Sequence, residues 1–415
     1  MELESQSGSN TPYSGANTPL TRLLNFPDAE FKILRQLGIT QYGASTVGEC
    51  FEAVRRVHEG VAADWAQAWS GIAAELEAVA ETSESASRDA RSGEMFLRAA
   101  NYFQMAEYYA IMNGGTHVQL GLKSQECFEK ALHRMPTHNE RFDLATGDQK
   151  LVLYFLAPDN SGATRPTVML VPGIESSAEE MYFFHGVTAL ERGYNVVIFQ
   201  GPGQSGVLRI DPDSCLRHDY EIPLQVALDF LHDRRDVDSE RLALVGDGIG
   251  SYLCMRVAAF DPRVKALVSN PPYVEMRPLF SEMIGHRAMI VDVEIDELNE
   301  LPPSILRNEL KLLIKSMGRR FGALRLHTLL QKMEAYAVGD LLYRIHCPVL
   351  SLGGSFLIPE MVRQEQQFID SVRSDDKTLI RIPSLHYADA HNHFSNLPLL
   401  NQHLFDWLDD RFLPD

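Results

Sequence analysis

The sequence predicts an α/β protein with a doubly wound, mostly parallel sheet, an N-terminal helical region and an inserted helical cap. Short apolar runs bounded by turn residues alternate with helical stretches after residue 138. This alternation is typical of parallel βαβ units. The interval 276–340 interrupts it, since its apolar residues follow a helical period and no run there is typical of a strand.

Six apolar runs mark the expected strands. They are LVLYFLA (151–157), TVMLVPG (167–173), NVVIFQGPG (195–203), RLALVGDG (241–248), VKALVSN (264–270) and CPVLSLGG (347–354). Upstream, residues 93–112 repeat apolar side chains every three or four positions, which predicts an amphipathic helix.

These patterns predict five segments. They are a disordered tail (1–22), an N-terminal helical cap region (23–140), the first part of the core (141–275), the cap insertion (276–340) and the second part of the core (341–415). The tail is rich in Ser, Gly, Asn, Thr and Pro, so it has little apolar surface to bury.

Composition excludes several classes of protein. The 415-residue chain has 38 basic and 56 acidic residues and a net charge of −18, which disfavours binding to nucleic acid. Its five cysteines form no CxxC pair, so neither a disulfide framework nor a zinc site is expected. We find no secretory signal pattern and no apolar run long enough for a membrane span, and we expect a cytoplasmic protein.

The turn after RLALV carries the first candidate site residues. Its sequence is GDGIGS (246–251), and a strand, a glycine-rich turn and a helix are the context of the G-x-S-x-G nucleophile elbow. Gly248 stands where the nucleophile would be, and Asp247 lies one residue before it. A dinucleotide-binding turn is the alternative, although Ser251 occupies the position of its last glycine.

The turn after TVMLV, PGIESS (172–177), is a candidate oxyanion hole. The backbone N–H groups of Ile174 and Ile249, with Gly173 beside them, would be the donors, and such donors do not need a serine at the apex. An ordinary strand-to-helix turn is the alternative.

Three histidines precede the last amphipathic helix: His386, His391 and His393. We choose His391 as the acid–base residue, with a metal site as the alternative. An orienting acid is expected after CPVLSL, but GGSFLIP (353–359) contains no carboxylate, so Glu275 is the nearest substitute.

Taken together, these stretches resemble a branch of the α/β-hydrolase superfamily. The branch contains the fungal polyketide-shortening hydrolase of melanin synthesis, 2,6-dihydroxypseudooxynicotine hydrolase and esterases of the fermentation-respiration switch type. The resemblance rests on SGEMFLRAANYFQMAEYY, GYNVVIFQGPGQSGVLR, VDSERLALVGDGIG, AAFDPRVKALVSN, IHCPVL and AHNHFSN…FDWLDD. It implies the α/β-hydrolase fold and aligns His391 with the family histidine. Similar proteins occur in fungal gene clusters for hybrid polyketide–amino-acid products of the fusarin and cytochalasan type.

The sequence departs from that family at the elbow. Relatives carry G-R-S-[LF]-G-G, so Gly248 replaces the serine and Asp247 the arginine, and the turn of the acid is apolar around Phe356. We therefore expect a tailoring enzyme of fungal secondary metabolism that cyclises or condenses a polyketide-like carbonyl substrate without a serine nucleophile. Three alternatives stay open: hydrolysis by His391-activated water, an engineered replacement of the serine, and a non-catalytic binding protein.

The expected ligand is a small, largely apolar carbonyl compound held between core and cap. The candidate pocket residues are Glu175, Tyr182, Tyr273 and Phe356. No motif for a cofactor or a metal is present, and none is required by this chemistry. The sequence leaves the oligomeric state open, with a homodimer as one option.

Overall fold

The computed structural model describes residues 27–57, 62–84, 90–111, 116–354, 358–383 and 391–413. The predicted tail, residues 1–22, lies outside these ranges. Within them, the chain forms an eight-stranded sheet of order β1-β2-β4-β3-β5-β6-β7-β8. Its strands are β1 (His138–Thr146), β2 (Gln149–Ala157), β3 (Arg165–Val171), β4 (Asn195–Gln200), β5 (Val237–Asp247), β6 (Ala266–Asn270), β7 (Val349–Gly354) and β8 (Lys377–Ile382).

The helices cover both faces of this sheet. They are α1 (Pro27–Gly38), α2 (Val47–Arg55), α3 (Ala62–Glu84), α4 (Ala90–Ala110), α5 (Thr116–Leu132), α6 (Ala178–Met181), α7 (Val187–Glu191), α8 (Ser205–Ile210), α9 (Glu221–His232), α10 (Ile249–Phe260), α11 (Met276–Ile284), α12 (His286–Met289), α13 (Asn308–Phe321), α14 (Leu326–Met333), α15 (Pro359–Ser371) and α16 (Leu397–Phe412). A π-helix (Tyr182–Gly186) joins α6 to α7, and a 3₁₀-helix (His391–Asn396) precedes α16.

The predicted fold class is confirmed. Strands β3 to β8 pair in parallel, while β1 and β2 form an antiparallel hairpin whose second strand pairs antiparallel with β4. All six predicted runs are strands. Helices α11 to α14 lie between β6 and β7, where the sequence predicted the cap insertion. The division into five segments stays a prediction.

Two strands escaped prediction because they lie at the sheet edges. Both strands, β1 (HNERFDLAT) and β8 (KTLIRI), mix polar and apolar residues, and most of their side chains are only half-buried. A strand with a solvent-exposed face lacks the continuous apolar run that is typical of a buried parallel strand.

Alternating side chains divide the core into two layers. Val245 of β5 and Val268 of β6 pack on the face covered by α1–α7 and α16. Their neighbours Leu244 and Leu267 pack on the opposite face, against α9–α11, α14 and α15. This alternation decides which polar side chains at the strand ends enter which layer.

Two further predictions concern cysteines and membranes. The five cysteines are all free thiols. In the described ranges no helix combines the length and apolar character that a membrane span requires.

Close backbone contact joins β3, β5 and α10. A Cβ on Gly250 would overlap the carbonyl oxygen of Val171, and a Cβ on Gly246 would lie 2.5 Å from the backbone of Gly250. Backbone atoms cannot move aside as a flexible side chain does. These two glycines therefore let α10 begin directly against the end of β3.

Replacing Gly250 by alanine tests this contact. We expect Gly250→Ala to destabilise the protein by about 3 kcal/mol or more, because the new methyl group meets backbone on a buried strand. Gly48→Ala is the control, since Gly48 lies on an exposed face of α2 with open space around its Cα. It should change stability by less than about 1 kcal/mol. Urea unfolding followed by circular dichroism measures both, and equal midpoints for the two variants would contradict the prediction.

Candidate active site

The turn at Gly248 has the geometry of a nucleophile elbow without a nucleophile. Gly248 has φ 53° and ψ −118°, a conformation that side-chain-bearing residues adopt only under strain. Its N–H donates to the carbonyl of Asn270 at 2.9 Å, and its carbonyl accepts from Ser251 Oγ at 2.6 Å. A Cβ at this position would meet the Tyr273 ring at 3.6 Å, an ordinary contact. The site therefore has room for a side chain that the sequence does not supply.

The candidate oxyanion turn lies beside this elbow. Val171 at the end of β3 is in register with Gly246, and a Cβ on Gly173 would be 3.0 Å from the carbonyl oxygen of Asp247. A turn closed by Ser176 N–H to Gly173 O follows. Within the described ranges, the N–H groups of Ile174 and Ile249 have no protein acceptor. Two adjacent loops thus present free donors, as an oxyanion hole requires.

Asp247 is engaged below the elbow in a buried polar cluster. Its carboxylate lies 3.1 Å from Nε2 of His185 and accepts from Nδ2 of Asn270 at 3.0 Å. Asp247 is 1% exposed and His185 fully buried. Burial alone would lower the pKa of His185, but the Asp247 carboxylate more than offsets this, so that the pKa is raised. His185 and Asp247 thus form a buried hydrogen-bonded pair directly below the elbow.

His393 joins the same cluster from the segment before α16. Its Nδ1 is 3.1 Å from Oδ1 of Asn270, and its side chain is 2% exposed. Burial lowers the pKa of His393 to about 4, against a smaller opposing effect of the Gly353 backbone and Asp247. His393 is therefore neutral at pH 7. Its φ of 60° is the only positive φ of a non-glycine residue in the described part of the chain.

The other predicted site residues are dispersed. The Glu275 carboxylate forms an ion pair with Arg363 at 3.1 Å. Among the described residues, no histidine is a hydrogen-bond partner of Glu275. Tyr182 is buried, bonds to Met135 Sδ and packs edge-on against Phe128.

Phe356 and His386 lie outside the described residues. His391 begins the 3₁₀-helix, but its side chain is outside the described part. No group of three metal-ligating side chains is present among the described residues.

Charged residues of α1 hold the candidate oxyanion turn in place. Lys32 Nζ donates to Glu175 at 2.8 Å, next to Ile174, and lies 3.6 Å above the Tyr108 ring. Arg35 donates to Ser176 Oγ at 2.9 Å and pairs with Glu180. Burial lowers the pKa of Lys32 and also raises that of Glu180, despite their charged partners.

A second buried group of charges extends this contact. Arg209 pairs with Glu107 at 2.7 Å and with Glu179 at 2.6 Å, which joins α8, α4 and α6. Arg320 of the cap helix α13 donates to Ser205 Oγ and to the Gly203 carbonyl. We call these eight charged residues the charge cluster: Lys32, Arg35, Glu107, Glu175, Glu179, Glu180, Arg209 and Arg320. It has four positive and four negative members.

Comparison with known proteins identifies the family. The family model for FrsA-like esterases, described as "Esterase FrsA-like", matches residues 49–300 of this chain. The chain belongs to the FrsA-like esterases. This agrees with the predicted α/β-hydrolase branch and supports an enzyme of the α/β-hydrolase fold.

Two curated relatives are fungal. The 20-hydroxy-prefusarin hydrolase FUS2 of Gibberella moniliformis is 35% identical over 251 residues, covering 58% of this chain and 59% of FUS2. Hydrolase ORFZ of Pyricularia oryzae is 26% identical over 415 residues, covering 92% of this chain and 96% of ORFZ. The match to FUS2 thus spans less than two thirds of its length.

Solved structures support the fold. The crystal structure of 2,6-dihydroxy-pseudo-oxynicotine hydrolase matches with a TM-score of 0.70 and 20% identity, covering 91% of this chain and 96% of that one. AbyA5 matches with a TM-score of 0.60 and 14% identity over 90% of this chain and 94% of its own. At these identities the likeness concerns the fold alone.

Sequence reasoning missed most of the polar environment. His185 stands within the apolar run MYFFHG, and a single buried histidine in such a run was a usable signal. Lys32 and Arg35 are spaced to share one face of α1, but their acidic partners lie more than 140 residues away. No short-range pattern connects them.

Neutralising Glu180 tests whether the charge cluster holds the N-terminal helices on the core. Glu180→Gln keeps the side-chain size but leaves Arg35 without its carboxylate, and we expect a loss of about 3 kcal/mol in unfolding free energy. Glu191→Gln, at an exposed position on α7, should change it by less than about 0.5 kcal/mol. Chemical denaturation checks both values. A Glu180→Gln protein as stable as the control would show that the cluster is dispensable.

Proposed function

We propose that this protein is a tailoring enzyme of fungal secondary metabolism that cyclises or condenses a largely apolar carbonyl compound. One observation carries the proposal. The turn at Gly248 keeps the strained backbone of an elbow, and Gly248 leaves its apex without a nucleophile. Beside it, the N–H groups of Ile174 and Ile249 have no acceptor within the described ranges. The fungal relatives support the biological setting, since FUS2 is named for a prefusarin substrate.

The proposed chemistry uses the two turns and one histidine. The substrate carbonyl oxygen accepts hydrogen bonds from the N–H groups of Ile174 and Ile249, which stabilise negative charge as it develops. His391 removes a proton from the adjacent carbon and forms an enolate. The enolate carbon attacks a second carbonyl group, whose oxygen takes up a proton. A condensation then releases water, whereas an aldol product keeps the hydroxyl group.

The absence of a nucleophile favours this route over acyl transfer. A serine at the apex would attack the activated carbonyl and capture it as an ester. With Gly248 the same carbonyl is polarised without being trapped. The enolate can therefore attack the second carbonyl group of the substrate.

Hydrolysis is the second candidate, favoured by the names of the relatives, several of which are hydrolases. In this route His391 takes a proton from a water molecule beside Gly248, and the water oxygen attacks a carbonyl carbon. An acyl or C–C bond breaks, and the departing group takes the proton. The product is a carboxylic acid that contains one oxygen from water.

Gly248→Ser tests whether the site is assembled. The new side chain has ordinary clearance from Tyr273, at a backbone strain of about 1–3 kcal/mol. We expect the variant to gain hydrolysis of p-nitrophenyl acetate with a burst of p-nitrophenol, as an acyl-enzyme forms. Gly248→Ala is the control and should show no burst. A folded Gly248→Ser protein without a burst would contradict the proposed elbow.

The fate of water oxygen distinguishes the two candidate reactions. We expect the protein to convert an alkyl β-keto amide that carries an aldehyde into a ring compound lighter by one water, with no carboxylic acid formed. Mass spectrometry in ¹⁸O-labelled water checks this, because hydrolysis gives a labelled acid instead.

Loss of His391 should slow the same conversion. His391→Ala is expected to lower the rate by about 100-fold or more, as for removal of a general base. His346→Ala, at an exposed histidine before β7, should leave it unchanged. A His391→Ala variant with full activity would show that His391 is not the catalytic base.

A further inference from the structure

The cluster beneath the elbow is a continuous chain of hydrogen bonds in which His185 and Asn270 both donate to the Asp247 carboxylate. It runs from Asn401 of α16 through His185, Asp247 and Asn270 to His393. It connects α16, the π-helix, β5, β6 and the 3₁₀-helix His391–Asn396. We call these five residues the relay.

The donors at one end are fixed by Asn401. Its Nδ2 donates to the backbone carbonyl of Phe184 at 2.6 Å, so its Oδ1 is the atom that faces His185. Nδ1 of His185 therefore carries a proton and donates to Asn401 at 2.7 Å. Nε2 of His185 then faces the carboxylate of Asp247.

The donors and acceptors at the other end of the relay are assigned in the same way. Asn270 donates from Nδ2 to Asp247, which leaves its Oδ1 as the acceptor for His393. Nδ1 of His393 is thus the protonated nitrogen, and its Nε2 has no partner in the described part of the chain. This bond holds a residue whose backbone is in the left-handed region, two residues after His391.

We propose that His393 is a positioning residue for His391, and that the relay takes over the anchoring role of the orienting acid missing after β7. The proposal rests on the proposed function of His391. It assigns Asp247 a place below the site, where it acts through Asn270 and His393 without touching substrate. The relay ties the 3₁₀-helix to β5, which ends at the elbow, and to the neighbouring strand β6.

The positioning role has a kinetic consequence. If the 3₁₀-helix loses its anchor, the backbone at His391, two residues away, is no longer held in place. A displacement of about 1 Å can cost about 100-fold in rate without weakening substrate binding. The effect should therefore fall on kcat, while KM stays unchanged.

Three variants test the relay in the Gly248→Ser background, with p-nitrophenyl acetate as the probe. His393→Leu removes the donor, and Asn270→Leu removes the acceptor at a strand residue. His393→Asn keeps an N–H at the same position along the side chain and accepts a positive φ. We expect both leucine variants to lower kcat by about 100-fold with KM within about threefold. The asparagine variant should keep kcat within about fivefold of the parent.

Hydrogen exchange supplies a readout that does not need activity. In the otherwise unaltered protein, His393→Leu should speed exchange of the 391–396 amides by about tenfold or more, with α10 unchanged and His393→Asn close to the parent. An unchanged kcat in His393→Leu, or no advantage of asparagine over leucine, would overturn the proposal. If Gly248→Ser lacks esterase activity, the proposed function fails. The exchange result then decides the relay by itself, because unchanged exchange would refute it.

Discussion

The close approach of α10 to the end of β3 is the constraint on which the site depends. Gly250 meets the carbonyl of Val171, and Gly246 meets Gly250, with no space for a methyl group at either position. This contact places the first N–H of α10 beside the turn after β3. It also fixes the unusual backbone of Gly248 from both sides. The elbow geometry is thus a property of backbone packing and does not depend on the residue at the apex.

The N-terminal helices belong to the site as much as the sheet does. Helix α1 contacts the 3₁₀-helix that carries His391 and, through Lys32 and Arg35, the turn that carries Ile174. Buried charges are costly unless paired, and here they are paired across segments that are distant in the sequence. The helical region therefore sets the positions of both the donors and the proposed base.

The sequence was sufficient for the fold and for the position of the elbow, because both leave local patterns. Continuous apolar runs marked the buried strands, and the glycines at 246 and 250 marked the close contact. It was insufficient for β1 and β8, because polar residues in these half-buried strands interrupt the apolar run. The role of Asp247 also depends on His185 and Asn270, which reach it only when two strands, β5 and β6, and the π-helix are assembled. Periodicity contains no information about such long-range polar contacts.

Gly248 also affects how this protein is detected. Surveys that find serine hydrolases with fluorophosphonate reagents rely on an oxygen nucleophile at the apex of the elbow. Here that position offers only a Cα hydrogen, while nearby Ser251 is buried and bonded to the Gly248 and Pro271 carbonyls. A chemoproteomic screen of this kind would pass over this protein although it has the α/β-hydrolase fold.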